Sequence, residues 1–424
     1  MRKIKNALIL AGGDSTRFWP LEEKAFFSFL GKPLILYQIE ELSRYAETVV
    51  IVANKNNAVA IKRLIDNFED DKKKYHVIIQ KDSLPGQAGA ILSVKNFLKG
   101  EVLIVNANDI LDYTIVKETI KKAEKNQIII VGKRKNEYFP GGYLRFNNKR
   151  QIVEVVEKPQ KDKLPSSIVK LVLDYFSNIE DLITAIESEK TEEDNLYELA
   201  INSLLSTNIN REFINYDNYW QSLKYPWHVL TMMKGFLTRV KGLEIAKTST
   251  VSKNSLIIPP VFIGDNVRIG DYVKVVGPCY IGNNTVVGDH SLIRESQIND
   301  DCLIGSYTEV ARSYIGNDVF LHRNYIGDSV ISDETMLGAG TVTANFRFNE
   351  NSITSVVDEE KVDTNLSKLG TMIGSQSKIG VSATILPGVK IGKKCLVGPN
   401  ETVRYDLEDK TFLVRGEERE NLNI

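Results

Sequence analysis

The stretch Val261-Phe262-Ile263-Gly264-Asp265-Asn266-Val267-Arg268-Ile269-Gly270-Asp271-Tyr272-Val273-Lys274-Val275 decides the fold of the C-terminal half of this chain. Ile263, Ile269 and Val275 fall every six residues, and the series continues through Ile281, Val287 and Ile293. The register returns at Ile373, Ile379, Ile385, Ile391 and Val397. Glycine follows the aliphatic residue in Ile263-Gly264, Ile269-Gly270, Ile281-Gly282, Ile379-Gly380 and Ile391-Gly392. No α-helix has this period, and a lone strand would not carry Gly and Asn or Asp at each corner. Six residues per side is the signature of a β-helix, whose rungs stack their aliphatic residues into continuous columns. Between the two runs, residues 346–369 are polar, charged and too long for a corner. They read as a loop thrown out of the coil, and long loops of this kind are often functional.

Working outward, residues 1–240 follow a different grammar. Short apolar runs at 7–11, 48–53, 76–80, 102–106 and 127–131 read as strands, and 34–45 and 58–68 as helices between them. This alternation predicts an α/β domain with a mostly parallel sheet covered on both faces. Ligands of such sheets bind at the carboxyl ends of the strands, which directs attention to the loops after Leu10 and Val105. Residues 226–240 read as a helix bridging the halves, with the boundary near 242–250. The predicted division is 1–240, 250–410, and a C-terminal tail at 411–424.

With 54 basic and 55 acidic residues among 424, the net charge of -1 gives no electrostatic reason for a nucleic-acid or membrane partner. The apolar run at 7–11 is too short for a signal-peptide core or a membrane span. Cys279, Cys302 and Cys395 are odd in number and lack metal-ligand spacing, so they read as buried thiols in a reducing compartment, and the chain as cytoplasmic.

After the first strand comes Ala11-Gly12-Gly13-Asp14-Ser15-Thr16-Arg17, then Lys24, then Gly31-Lys32-Pro33. A glycine pair after a buried strand lets backbone N–H groups approach a phosphate. Arg17 offers a fork for phosphate oxygens and Lys24 a compact second charge. The string resembles the signature of the sugar-1-phosphate nucleotidylyltransferase family, and further landmarks follow in order: Gln80 and Gly86, Asn108-Asp109, Gly142, and Glu157-Lys158-Pro159. The resemblance covers nearly all of residues 1–235. It implies a Rossmann-like nucleotidyltransferase domain in which Leu10, Ala11, Gly12, Gly13, Gln80 and Gly86 bind the nucleotide. It likewise implies that Arg17 and Lys24 act in catalysis, that Gly142, Glu157 and Lys158 meet the sugar phosphate, and that Asp109 holds Mg²⁺. One departure stands out. Where the family shows W-x-D-I-G-x-P-x-D, this chain reads Trp220-Gln221-Ser222-Leu223-Lys224-Tyr225-Pro226-Trp227-His228, with Ser222 in place of the first, metal-binding Asp. Asp217 is a nearby carboxylate that could substitute.

In the coil, Phe320-Leu321-His322-Arg323-Asn324-Tyr325-Ile326-Gly327-Asp328 precedes Leu337-Gly338-Ala339-Gly340-Thr341-Val342-Thr343-Ala344-Asn345. Only four histidines occur in the chain, and imidazole is the side chain best suited to accept a proton near neutral pH. The string resembles the acetyltransferase half of the bifunctional N-acetylglucosamine-1-phosphate uridylyltransferase type. Archaeal two-domain members look still closer, because Lys368-Leu369-Gly370-Thr371-Met372-Ile373-Gly374 follows a lysine-bearing loop.

The resemblance implies a left-handed coil and acetyl-CoA as co-substrate. His322 would take the proton of an amino-sugar 1-phosphate, Tyr325 and Asn345 would place the sugar, and Lys361 or Lys368 would meet phosphate; Arg294 is a further phosphate candidate. A homotrimer with the coils side by side is implied as well. The substrates would be an NTP, with UTP first and dTTP or GTP open, and a sugar 1-phosphate. Two alternatives stay open: a monofunctional glucose- or mannose-1-phosphate nucleotidylyltransferase with an assembly-only coil, and a non-catalytic regulatory subunit.

Overall fold

The computed structural model describes residues 2–67, 74–81 and 86–420. Phe68 at the end of an expected helix, Pro85 beside Gly86, and the last four residues of the expected tail lie outside them. The chain forms two compact units, Met1–Asp14 with Leu34–Trp220, and Ser15–Pro33 with Gln221–Ile424.

The first unit is built on a sheet whose parallel core is Val102–Asn106, Ile4–Ala11, Ala46–Ala53 and Tyr75–Ile79. Ile9 pairs with both Val105 and Ile51, and Ile51 with Val77. Ala7, Leu8, Ile9 and Val49 to Ala53 are buried without alternation, as strands covered on both faces require. Ile168–Phe176 then enters antiparallel to Val102–Asn106 and to Ile128–Arg134, and the latter takes Arg211–Asn215 in parallel. Helix Leu34–Tyr45 buries Leu34, Ile35, Gln38, Ile39 and Leu42, one helical face. Helix Ala58–Asp66 buries Ala58, Ile61 and Ile65 on the same principle. Helix Ile179–Ser188 starts where the Asn178 side chain accepts the Glu180 N–H.

In the second unit, strands of two to four residues stack into three parallel sheets. One column runs Ile263, Ile281, Ile298, Ile315, Ile331, Ile373, Ile391, each pairing with the next. The other two run through Ile269, Val287, Ile304, Leu321, Leu337, Ile379, Val397 and through Val275, Ile293, Val310, Ile326, Thr343, Ile385, Val403. Nearly all are fully buried and form one continuous core. This is a β-helix. Coil corners carry a residue in left-handed conformation, among them Asn266, Tyr272, Asn284, His290, Asp301 and Tyr307. Asn and Asp tolerate that conformation, while the rings of Tyr272, His290 and Tyr307 stack at 5.0 and 4.9 Å. Ile331 pairs with Ile373, so residues 346–369 are indeed thrown out of the coil; within them Thr354–Val357 pairs antiparallel with Glu360–Asp363.

Two details differ from the sequence division. Residues 411–420, set apart as a tail, form strands Thr411–Val414 and Glu417–Glu420, and Leu413 adds to the column above Val397. The pair covers the last rung, which would otherwise expose its column end. Ser15–Pro33 belongs with the coil because its aromatic residues find partners there. Phe27 packs on Tyr314 at 4.6 Å and Phe29 stacks on Phe236 of helix His228–Leu237 at 4.8 Å. Gln297 Nε2 and the Tyr314 hydroxyl both donate to the Ser28 carbonyl at 2.9 Å. The three cysteines are free and buried, and burial pushes the Cys279 and Cys302 thiols up to about 12. Among the described residues no helix is long and apolar enough to cross a membrane.

Candidate functional sites

Leu10 and Ala11 end the first strand and are buried. Asn57 Nδ2 donates to the Ala11 carbonyl at 2.9 Å, which fixes where the chain leaves the sheet. A Cβ on Gly12 would lie 1.9 Å from Gln80 Oε1, so in this arrangement the Gln80 amide packs directly over the Gly12 backbone. Gln80 Nε2 in turn donates to the carbonyl of Gly86 at 3.1 Å. Gly86 opens helix Gly86–Ser93 at φ +70, where a side chain would be strained. Gly12 is thereby brought together with Gln80 and Gly86.

Asp109 begins strand Asp109–Leu111, is 6% exposed, and accepts the Trp220 indole N–H at 3.0 Å. Gln38 Nε2 donates to the carbonyls of Asn106 and Asp109 at 2.7 and 2.5 Å, bracing this turn. Asp109 lines a small pocket with Gln38, Asn106, Leu111 and Tyr113. Among the described residues no three His, Cys, Asp or Glu side chains group to hold an ion alone. The donor set fits Mg²⁺ as an ion held by one carboxylate, with phosphate oxygens and water completing it.

Gly142, Glu157 and Lys158 also come together. A Cβ on Gly142 would lie 3.2 Å from Glu157 Oε2, the Lys158 N–H donates to the Gly141 carbonyl at 3.2 Å, and Lys158 Nζ is 3.5 Å from Glu157 Oε1. Beneath them lies a network that sequence reasoning missed. The Lys170 N–H donates to the Gly142 carbonyl at 2.8 Å, and its ammonium meets Asp174 Oδ2 at 2.5 Å. The Tyr197 hydroxyl donates to the same oxygen at 2.7 Å. Burial raises the Asp174 carboxyl despite Lys170, and raises Glu198 to about 7. The available signal was two charged residues, Lys170 and Asp174, inside the apolar strand 168–176. Lys135 was missed too; its ammonium lies 5.1 Å from the Trp220 ring centroid, and burial lowers its pKa, with Lys133 adding to the fall. Asp217 is exposed and its carboxylate accepts the Asn215 amide at 2.8 Å.

In the second unit Arg17 sits half-buried in the single turn Thr16–Phe18, entered through Ser15 at φ 57. Lys24 is 8% exposed, with its ammonium 5.7 Å from the Phe18 ring centroid. Ser222 is buried, and its carbonyl lies 3.0 Å from His228 Nδ1.

On the coil, His322 is exposed just after Leu321, and its N–H donates to Asn324 Oδ1 at 2.5 Å. Asn324 is buried and ties the corner down by donating to the Gly338 carbonyl at 2.9 Å. Gly305, on the rung before, has its Cβ position 3.5 Å from His322 Nδ1. Tyr325 and Asn345 meet: Asn345 Nδ2 lies 3.3 Å from the Tyr325 hydroxyl and donates to Asp328 Oδ2 at 2.5 Å. Arg312 closes the group, with Nε and an Nη each 2.7 Å from one Asp328 oxygen. Arg312 was missed, for it stands in a rung whose spacing escaped the sequence pattern. Arg294 is engaged by Glu309 at 2.8 Å. Lys368 is exposed beside Leu369, whose N–H donates to the Asn345 carbonyl at 3.0 Å. Lys361 is exposed on the hairpin strand opposite Val356.

The chain thus joins an α/β unit with a glycine loop at the end of its parallel sheet to a β-helix, and its likeness to known proteins makes it a transferase. Residues 6–223 match the nucleotidyl transferase family, and residues 240–351 match the GMPPB C-terminal domain. A bifunctional sugar-1-phosphate nucleotidylyltransferase/acetyltransferase of Sulfurisphaera tokodaii is 31% identical over 411 residues, covering 95% of this chain and 98% of that protein. The bifunctional protein GlmU of Methanococcus maripaludis is 28% identical over 426 residues, covering 97% and 98%, and that of Methanocaldococcus jannaschii is 26% identical over 421. The chain belongs to the nucleotidyl transferase family and, along nearly its whole length, is similar to its bifunctional sugar-1-phosphate nucleotidylyltransferase/acetyltransferase members.

Proposed function

We propose that the chain catalyses two transfers in nucleotide-sugar biosynthesis, leading to a product of the UDP-N-acetylglucosamine kind. The first, assigned to residues 1–240, moves a nucleotidyl group from an NTP, UTP foremost, to a sugar 1-phosphate. A phosphate oxygen of the sugar attacks the α-phosphorus, and the bond to pyrophosphate breaks. Catalysis here is alignment and neutralisation of charge on phosphate oxygens. Arg17, Lys24 and Lys158 supply positive charge, Leu10 to Gly13 with Gln80 and Gly86 cradle the nucleotide, and Gly142 and Glu157 hold the sugar. Mg²⁺, held by Asp109, supplies further charge stabilisation when bound.

The second, assigned to residues 250–410, acetylates glucosamine 1-phosphate. His322 takes a proton from the amine as its nitrogen attacks the acetyl-CoA thioester carbonyl; the C–S bond breaks and the thiolate regains the proton. Tyr325 and Asn345, the latter held by Asp328, place the sugar, and Lys361 or Lys368 meets a phosphate of the sugar or of CoA. The coil is left-handed, three chains assemble, and the enzyme works in the cytoplasm.

The observation that carries this reading is full-length similarity to a bifunctional relative, combined with a braced Tyr325–Asn345–Asp328–Arg312 group and an exposed His322 three residues before Tyr325. The test is a two-channel assay of CoA release from acetyl-CoA with glucosamine 1-phosphate, and pyrophosphate release from NTPs with sugar 1-phosphates. His322→Ala should lower CoA release by at least about a hundredfold and leave pyrophosphate release intact. Pyrophosphate release alone in the parent enzyme would favour the monofunctional alternative, and activity in neither channel a regulatory subunit.

A further inference from the structure

We propose that the hairpin thrown out of the coil positions the Arg17 loop for nucleotidyl transfer, and that Lys390 is the residue through which it does so. The proposal rests on the reading of Arg17 as a phosphate-binding residue.

Lys390 opens strand Lys390–Ile391, and its register partners are Met372 on the rung before and, one rung further, Val330. Ile391, and not Lys390, enters the aliphatic column, so this position lies on the outer face of the coil. Lys390 is nonetheless only 4% exposed, and a buried ammonium is costly unless its donors are satisfied. Three partners satisfy it. It donates to the Val356 carbonyl of the hairpin, lies 3.2 Å from Asp406 Oδ2, and sits 4.5 Å from the centroid of the Trp19 ring. One amine thus ties the hairpin, the coil and Trp19 together.

Both outer partners are themselves fixed. Ile353 at the hairpin base is fully buried, Val357 is 8% exposed, and Ser355 Oγ donates to the Gly388 carbonyl at 3.1 Å. The Trp19 indole donates to Asp409 Oδ1 at 2.8 Å, and Lys393 pairs with Glu22 at 2.9 Å. The Trp19 N–H donates to the Thr16 carbonyl at 3.1 Å, closing the turn that carries Arg17. Asp358 and Glu359 form the hairpin tip in left-handed conformation. A rigid chain of contacts runs from hairpin to Lys390 to Trp19 to the Arg17 turn. Lys390 touches no reacting atom in this scheme; it is a positioning residue.

The test uses the full chain. Lys390→Met reproduces the residue of the rung before and preserves the column. It should raise the KM for the NTP about tenfold, the scale of one lost charge-assisted contact. The effect on kcat should be smaller and CoA release unchanged, while the thermal midpoint falls somewhat because Asp406 loses its partner. Lys390→Arg should recover most of the loss. Replacing the hairpin residues 354–363 by a short Gly-Ser linker should reproduce the Lys390→Met effect on the NTP KM. Arg17→Ala serves as the reference. If it abolishes pyrophosphate release while Lys390→Met and the hairpin replacement keep the parental KM, the inference is overturned and the functional reading stands. If Arg17→Ala leaves pyrophosphate release intact, the reading fails and the inference with it. Equal damage to both channels together with a lowered midpoint would make Lys390 merely structural and also overturn the proposal.

Discussion

Glu198 sits in the first turn of helix Leu196–Ser206, 9% exposed, and burial pushes its carboxyl up to about 7 from an ordinary 4.5; Lys170 opposes the rise, and Glu157 and Asp174 add to it. Between those two values the folded protein keeps a proton that the unfolded chain has given up. Stability must therefore fall as pH rises through this window, and by about pH 8 the whole difference is lost, about 3 kcal/mol. Glu198→Gln has nearly the same shape and cannot ionise. It should match the parent near pH 4.5 and exceed it by about 3 kcal/mol near pH 8. Urea unfolding followed by helical circular dichroism reads the relevant unit, because among the described α-helices only His228–Leu237 belongs to the other one. A difference between variant and parent that stays flat from about pH 5 to about pH 8 would refute the reasoning, for it would mean that Glu198 titrates alike in both states.

Asp328→Asn keeps the shape of the group but removes the charge that holds Arg312 at 2.7 Å. The KM for glucosamine 1-phosphate in the CoA channel should rise about tenfold, with pyrophosphate release unchanged. Ile315, fully buried in mid-column, should cost about 3 kcal/mol on truncation to Ala, read as a lowered denaturation midpoint of the coil. Ser222→Asp should lower the Mg²⁺ concentration needed for half-maximal pyrophosphate release, and an unchanged Mg²⁺ titration would count against Ser222 standing at the metal position.

The legible and the hidden parts of this structure separate on physical grounds. Strands buried on both faces announce themselves as unbroken apolar runs, which is why 7–11, 48–53 and 102–106 were found within a few residues. The coil was legible where rungs keep a strict six-residue side, at 263–293 and 373–397. From Ile293 to Ile298, from Val310 to Ile315 and from Leu321 to Ile326 a side is one residue shorter. The hydrogen-bonded pairing absorbs the missing residue at the corner, but a search for a fixed period does not. That is why Arg312 went unnoticed while His322, carried by a motif, did not. Lys170, Asp174, Tyr197 and Glu198 are spread over a strand and a helix, and only the packing of helix on sheet brings them to one point. The aromatic residues of 15–33 gave no sign of which core they would join, since apolarity says that a side chain is buried and not where.

The jump from Ile331 to Ile373 has a consequence for how this chain tolerates change. The two isoleucines pair as though nothing lay between them, because each rung answers only to its neighbours. Material added at a corner is therefore invisible to the columns, and so is a break in it. The coil is a scaffold that can carry a segment between rungs without renegotiating the core, as it carries the hairpin at 354–363. What such a segment gains is a fixed place to stand, and its sequence is then free to answer to whatever it faces.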